Sequence, residues 1–159
     1  MKFIADVMLG KLARWLRMAG QNTLYAKSLP DSKDETILKR AKNDYRVLLT
    51  RDLDFHRQTK SQGVNSIYLE NEDIPNQLVE ISKKCGEKIE IDLTNSRCPV
   101  CNNELKKVEK KKIINQVPEN VSEQNNDFWK CIKCGKIYWP GSHWESIKEI
   151  MEKYKKKLE

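Results

Sequence analysis

Over the first ninety residues, short apolar runs alternate with stretches whose apolar positions recur at helical spacing. Phe3, Ile4 and Ala5 predict a buried strand that ends at Asp6. Leu9, Leu12, Ala13 and Leu16 then fall on one stripe of a helix running to Met18, with Gly20 placed to stop it. Thr23-Leu24-Tyr25 predicts a second strand. A helix over Glu35–Asp44 follows, with Ile37, Leu38 and Ala41 on its apolar side and Asp34 as its N-cap. Val47–Thr50 predicts a third strand, unbroken in apolar character as expected when both faces are covered. Ser66–Leu69 predicts a fourth, and Pro75 opens a helix carrying Leu78, Val79 and Ile81 toward Gly86. Alternating strands and helices imply an α/β fold, a parallel sheet flanked by helices, over residues 1–92.

Beyond residue 92 the pattern changes. Residues 95–145 hold four of the five cysteines and three of the four tryptophans, between short polar strand-like pieces. Lys106, Lys107, Lys110, Lys111 and Lys112 make a charge-dense stretch, and 117–126 reads as a loop. Such a segment cannot bury a core unaided, so 93–145 is expected to need a metal staple. From 146 onward Ile147, Ile150, Met151 and Tyr154 alternate with lysines and acids, predicting an amphipathic helix that frays beyond Lys155.

The staple is legible in Cys98-Pro99-Val100-Cys101 and Cys131-Ile132-Lys133-Cys134. Two residues between cysteines let both thiolates face one ion from a tight turn, and two such turns complete a tetrahedron suited to zinc. A lone redox pair would not occur twice. Four thiolates leave no open coordination position, so this zinc is expected to be structural and to do no chemistry. Cys85 lies outside the pattern and is expected to be a half-buried thiol.

Acids mark the strand exits. Asp6 follows the first strand, and Asp52 and Asp54 follow the third. Parallel sheets bind ligands outside the carboxyl ends of their strands, and Asp34 at a helix start can project into the same region. Such a carboxylate cluster suits Mg²⁺ or Mn²⁺, which can hold a phosphodiester and activate water. Acids at strand ends also serve simply as caps and turn formers. Thr50 and Arg51 add a hydroxyl and a cation beside Asp52. Arg14 and Arg17 either face the same cleft or remain ordinary exposed helix charges. His56 is not required as a general base if a metal activates the water.

Charge sharpens the choice of partner. The chain carries 30 Lys and Arg against 23 Asp and Glu, a formal +7, which favours polyanions such as RNA through release of condensed counterions. Around the second cysteine pair stand Trp129, Tyr138, Trp139, His143 and Trp144. Aromatic rings there can stack on single-stranded bases or pack on the zinc core. The tryptophans are expected to pack, and Tyr138 and His143 to reach RNA. Asp6, Lys11, Arg14 and Arg17 interrupt the N-terminal apolar residues, so no signal peptide is expected, and no stretch is apolar enough to span a membrane. Cysteines without a secretory signal are expected in a reducing compartment, the cytoplasm.

Taken together, Ile4–Gly20, Asp34–Leu38, Leu48–Asp54 and Tyr138–Trp144 resemble one family: the PIN-like ribonuclease domain fused to a C-terminal zinc ribbon. A relative forms the C-terminal part of a nematode exonuclease of RNA silencing. The resemblance runs from about residue 2 to 145. It implies a PIN-like α/β fold and metal-dependent endoribonuclease activity, with Asp6, Asp34 and Asp52 as Mg²⁺ or Mn²⁺ ligands and Asp54 close behind. Such domains use a fourth acid after the fourth strand, for which Glu70 and Asp73 are the choices here. RNA contacts are expected from Arg14, Arg17, Arg51, Tyr138 and His143. The competing readings are a non-catalytic RNA-binding or ribosome-associated zinc-ribbon protein, and a nuclease acting on DNA.

Overall fold

A computed structural model describes residues 1–159. Its first part runs β1 (Lys2–Ala5), α1 (Gly10–Met18), β2 (Asn22–Tyr25), α2 (Asp34–Asn43), β3 (Val47–Thr50), α3 (Leu53–Ser61), β4 (Ser66–Tyr68) and α4 (Ile74–Cys85). All three strand pairings are parallel, in the order β2-β1-β3-β4. The chain leaves β1 toward β2 on one side and returns to β3 on the other. The carboxyl ends of β1 and β3 therefore flank a topological switch point, where such sheets form a crevice. Ile4, Leu48 and Leu49 are fully buried because helices cover both faces.

One local detail departs from the sequence expectation, and a second element was expected without a signal of its own. Asp34 is the first residue of α2 and not its cap; the N-cap is Lys33, which makes no side-chain cap bond. Asp31 takes over the turn instead, accepting from the Lys33 N–H and the Thr36 hydroxyl at 3.0 and 2.6 Å. This leaves the Asp34 carboxylate free of local duties. Between β3 and β4 the alternation required a helix, but α3 buries only Phe55 and Thr59, too thin a stripe for periodicity to reveal.

The second part contains β5 (Leu105–Val108), α5 (Lys110–Ile113), α6 (Glu119–Gln124), β6 (Phe128–Cys131) and β7 (Ile137–Tyr138), then α7 (Trp144–Leu158). Its strands form an antiparallel sheet β5-β6-β7. The stretch 117–126, expected to be a loop, contains the single short helix α6, started by Pro118 at the N-cap and Glu119 in the first turn. No helix is long and apolar enough to cross a membrane.

The ribbon is sewn to the first part rather than hung from it. Arg97 N–H donates to the Arg17 carbonyl at 2.8 Å, and the Thr23 N–H donates to Asn102 Oδ1 at 2.9 Å. Gly20 closes the seam: it has φ +81°, and a Cβ there would stand 2.6 Å from the Asn95 carbonyl oxygen. Only glycine tolerates both conditions.

Helix α7 returns to the first part. Ile147, Met151 and Tyr154 join the same buried cluster as Leu78, Val79 and Ile81 of α4. The Tyr154 hydroxyl, buried, pairs with Ser82 Oγ at 2.7 Å and accepts from the Ile89 N–H at 2.9 Å. That anchor explains why the helix continues to Leu158 instead of fraying at Lys155. Tyr154→Phe should destabilise the protein by about 1–3 kcal/mol, because it orphans a buried N–H and a buried hydroxyl. Urea unfolding of the two proteins measures this, and an unchanged midpoint would refute it.

Candidate functional site

Asp6 emerges directly from β1 and is 5% exposed. Its backbone N–H extends the ladder to the Leu49 carbonyl at 3.0 Å, so its position is set by the sheet. Its Oδ1 accepts from the Val7 N–H at 2.8 Å and its Oδ2 from the Thr50 hydroxyl at 2.7 Å. Thr50, fully buried at the end of β3, also accepts from the Asp52 N–H at 3.0 Å. One threonine thereby fixes the relation between the two strand exits. Asp52 caps α3, Oδ1 accepting from the Phe55 N–H at 3.1 Å.

Asp34 arrives from the first turn of α2. Its carboxyl is raised above the ordinary aspartate range by partial burial first, then by the negative charges of Asp6 and Asp52. Three acids from three separate elements thus share one field at the switch point. None of them is in an ion pair. Their oxygens are not gathered into one tight cluster; only the cysteine set described below brings its ligand atoms all within 4.8 Å of one another.

A raised carboxyl binds its proton more readily in the folded than in the unfolded chain. Stability therefore falls as pH rises through that range, and the penalty is absent below the ordinary aspartate pKa of about 4. Asp34→Asn should accordingly raise the melting temperature of metal-free protein at pH 7, with the gain vanishing toward pH 3. A gain that persists unchanged at pH 3 would contradict this origin.

The neighbouring polar residues divide by what they touch. Arg51 Nη2 donates to the Glu70 carbonyl at 3.3 Å and Nη1 pairs with Glu72 at 3.4 Å, while its Nε is buried without a partner. Asp54 is exposed in the first turn of α3, where it favours the helix dipole. Asp73 caps α4, and its carboxyl is held low by Asn76, whose side chain and backbone N–H both donate to it. Glu70 is exposed just past β4. His56 Nδ1 lies 2.8 Å from Ser66 Oγ, on α3 against β4, and belongs to that contact.

The second constellation is the cysteine cluster. Cys98, Cys101, Cys131 and Cys134 bring four sulfurs within 4.8 Å of one another, with Cys98–Cys134 at 3.7 Å and Cys101–Cys131 at 3.3 Å. Tetrahedral zinc with bonds of about 2.3 Å would place sulfurs about 3.8 Å apart, so the set could hold zinc. Burial opposes the Cys101 thiolate, but the backbone and side-chain N–H groups of Asn103, with Cys131 and Cys98, outweigh it and bring the thiol to about 6. The Lys136 N–H favours a thiolate at Cys134, yet burial and the three other sulfurs push that thiol to about 12. Sulfurs crowded in this way resist sharing negative charge until a cation neutralises them.

The family model of the Mut7-C RNAse domain matches residues 1–151. The chain belongs to this family. No curated protein and no solved structure matches it. The match embraces both the acids and the cysteines, together with the first half of α7.

Within this Mut7-C RNAse domain the residues expected to meet RNA take different places. Arg14 is exposed on α1. Arg17 is not a surface contact: it is 6% exposed, its Nε donates to the Thr23 carbonyl and its Nη1 to the Pro99 carbonyl, both at 2.8 Å. Its guanidinium clamps the first knuckle to β2, a role invisible in the helical spacing that set Arg17 beside Arg14. Tyr138 turns its hydroxyl to Cys98 Sγ at 3.1 Å, and burial followed by that sulfur raises its pKa strongly. His143 is exposed at the start of α7. Trp129 is buried with Lys107 over its ring, and Trp139 packs on Phe128 at 6.2 Å. The sequence reading missed Asn102, which has φ 70° and joins Thr23, Asn22 and Arg97 at the seam. An Asn directly after a knuckle cysteine is the available signal, since Asn tolerates left-handed backbone.

Proposed function

We propose that this Mut7-C RNAse domain protein is a divalent-metal-dependent endoribonuclease of PIN-like build, with a zinc-stapled ribbon that assists RNA binding. What supports the reading is that Asp6 and Asp52, at the ends of β1 and β3, are near enough to Asp34 of α2 for their charges to raise its carboxyl, and that none of the three is in an ion pair. Their donor set, carboxylate oxygen throughout, fits Mg²⁺ or Mn²⁺. A bound Mg²⁺ or Mn²⁺ would supply a Lewis acid for the scissile phosphate and an activated water for in-line attack.

The chain's own groups provide the rest. Thr50 orients Asp6 by donating to Oδ2 and orients the Asp52 backbone by accepting its N–H. Asp34, whose side chain makes no hydrogen bond, is the adjustable ligand; Asp54, two residues after Asp52, and Glu70, just past β4, are further acids. Arg51 and exposed Arg14 supply cations for the substrate phosphates, and His143 and the lysines of β5 and α5 extend that positive surface over the ribbon. Cys98, Cys101, Cys131 and Cys134 would hold structural zinc, with Tyr138 donating to the Cys98 thiolate.

The test is incubation of purified protein with labelled single-stranded RNA in Mg²⁺, in Mn²⁺ and in EDTA. Internal cleavage in the metals and none in EDTA is the expected result. RNA bound equally well with and without divalent ions, and never cut, would replace the enzyme with a binding protein. DNA cut as fast as RNA would remove the ribonuclease assignment.

A further inference from the structure

Seven large apolar side chains are exposed in the molecule, and two of them adjoin the acids. Met8, 63% exposed, stands two residues after Asp6, and Leu53, 39% exposed, directly follows Asp52. Single exposed apolar residues need no explanation. These two, however, follow the neighbouring central strands β1 and β3 at the carboxyl end of the sheet, and each is held by a similar construction.

Met8 is the middle residue of the turn Val7–Leu9. Asp6 caps that turn through Oδ1, the Leu9 N–H donates to the Asp6 carbonyl at 2.9 Å, and Leu9 is buried at 3% exposure. The Tyr25 hydroxyl donates to the Val7 carbonyl at 2.7 Å. Gly10 makes room for that tyrosine, since a Cβ there would lie 2.9 Å from Tyr25 Oη. The turn is pinned on both sides and leaves its middle side chain pointing outward. On the other strand exit Asp52 caps α3 by accepting the Phe55 N–H, Phe55 is buried at 2%, and Leu53 is presented outward between them.

We propose that Met8 and Leu53 form an apolar rim that grips the nucleobases flanking the phosphodiester held at the carboxylates. The proposal rests on the nuclease reading of Asp6, Asp34 and Asp52, and it adds a substrate class, unpaired RNA. Carboxylates with a divalent ion can engage only the phosphate, which is common to every nucleotide. Base faces offer the remaining apolar surface, and they are accessible only where the strand is not stacked in a duplex. A methionine thioether makes favourable contact with aromatic faces without demanding a particular base. The rim therefore selects single strands with little sequence preference.

The experiment measures fluorescence anisotropy of a labelled 12-nucleotide RNA and of the same strand with abasic central residues, in Mn²⁺. Every arm uses an Asp34→Asn background, and RNA integrity is checked on a gel. Met8→Ala and Leu53→Ala are each expected to weaken binding of the intact RNA about 2- to 10-fold, with Met8→Leu close to the parent. The abasic strand is expected to bind weakly and equally to all of them. Unchanged affinity, or an equal loss on intact and abasic strands, overturns the rim. Because both side chains are exposed, melting temperatures should match the parent, and a loss of affinity accompanied by a large drop in melting temperature also counts against it. Failure of the wild-type protein to cut RNA would remove the nuclease reading alone, since the abasic comparison reads binding.

Discussion

Cys98→Ser should unfold the ribbon while leaving the four-stranded parallel sheet intact. The three strands β5, β6 and β7 are two to four residues long, and their buried apolar content is little more than Ile113, Phe128 and Trp129. A module of that size depends on its staple, and structural zinc contributes about 10–16 kcal/mol to the folding of comparable peptides. Cys98 is fully buried and touches both Cys134 and the Tyr138 hydroxyl, so its loss removes more than one ligand's worth of order. Hydrogen exchange should show residues 96–143 losing protection, and zinc content should fall below one per chain. Helix α7 should stay protected, because Tyr154 and Met151 hold it to α4 independently of the ribbon. Arg17 should lose its Pro99 acceptor and loosen the end of α1. Full protection with stoichiometric zinc in Cys98→Ser would refute the staple; chelation of the wild-type protein should reproduce the variant.

Asp6→Asn should abolish RNA cleavage, by on the order of 10³-fold or about 4 kcal/mol of barrier, while RNA binding changes little. Asn keeps an oxygen for the Val7 N–H, so the turn and the sheet edge survive, but the negative charge is gone. The raised carboxyl of Asp34 should fall back toward its ordinary range, because Asp6 is one of the charges that lifts it. Thr50→Val supplies a graded control. It removes the hydroxyl that aligns Asp6 with Asp52 but leaves every acid in place, and a loss of about 10- to 100-fold is expected. Single-turnover rates in Mn²⁺ measure both. Wild-type cleavage by Asp6→Asn would place the chemistry elsewhere.

Much of the sheet was legible because its strands are continuous apolar runs ended by acids or glycine. Helix α3 lacked such a signal. Its buried side, Phe55 and Thr59, is two residues wide, so only the alternation of elements required it. The placement of Asp34 was misread by one residue, since Asp31 and Asp34 are both plausible caps and only the chain path decides which one turns back on the backbone.

The sequence by itself determined most elements of the first ninety residues, the cysteine set and the acids at the ends of β1 and β3, because each depends on local spacing or on the period of apolar residues. Tertiary structure alone decided that Arg17 is a buried clamp under the first knuckle and that α7 closes the first core across the inserted ribbon. Those outcomes are contacts between residues far apart in the chain. Periodicity carries no information about them; they follow from which faces remain uncovered once the sheet and the ribbon have formed.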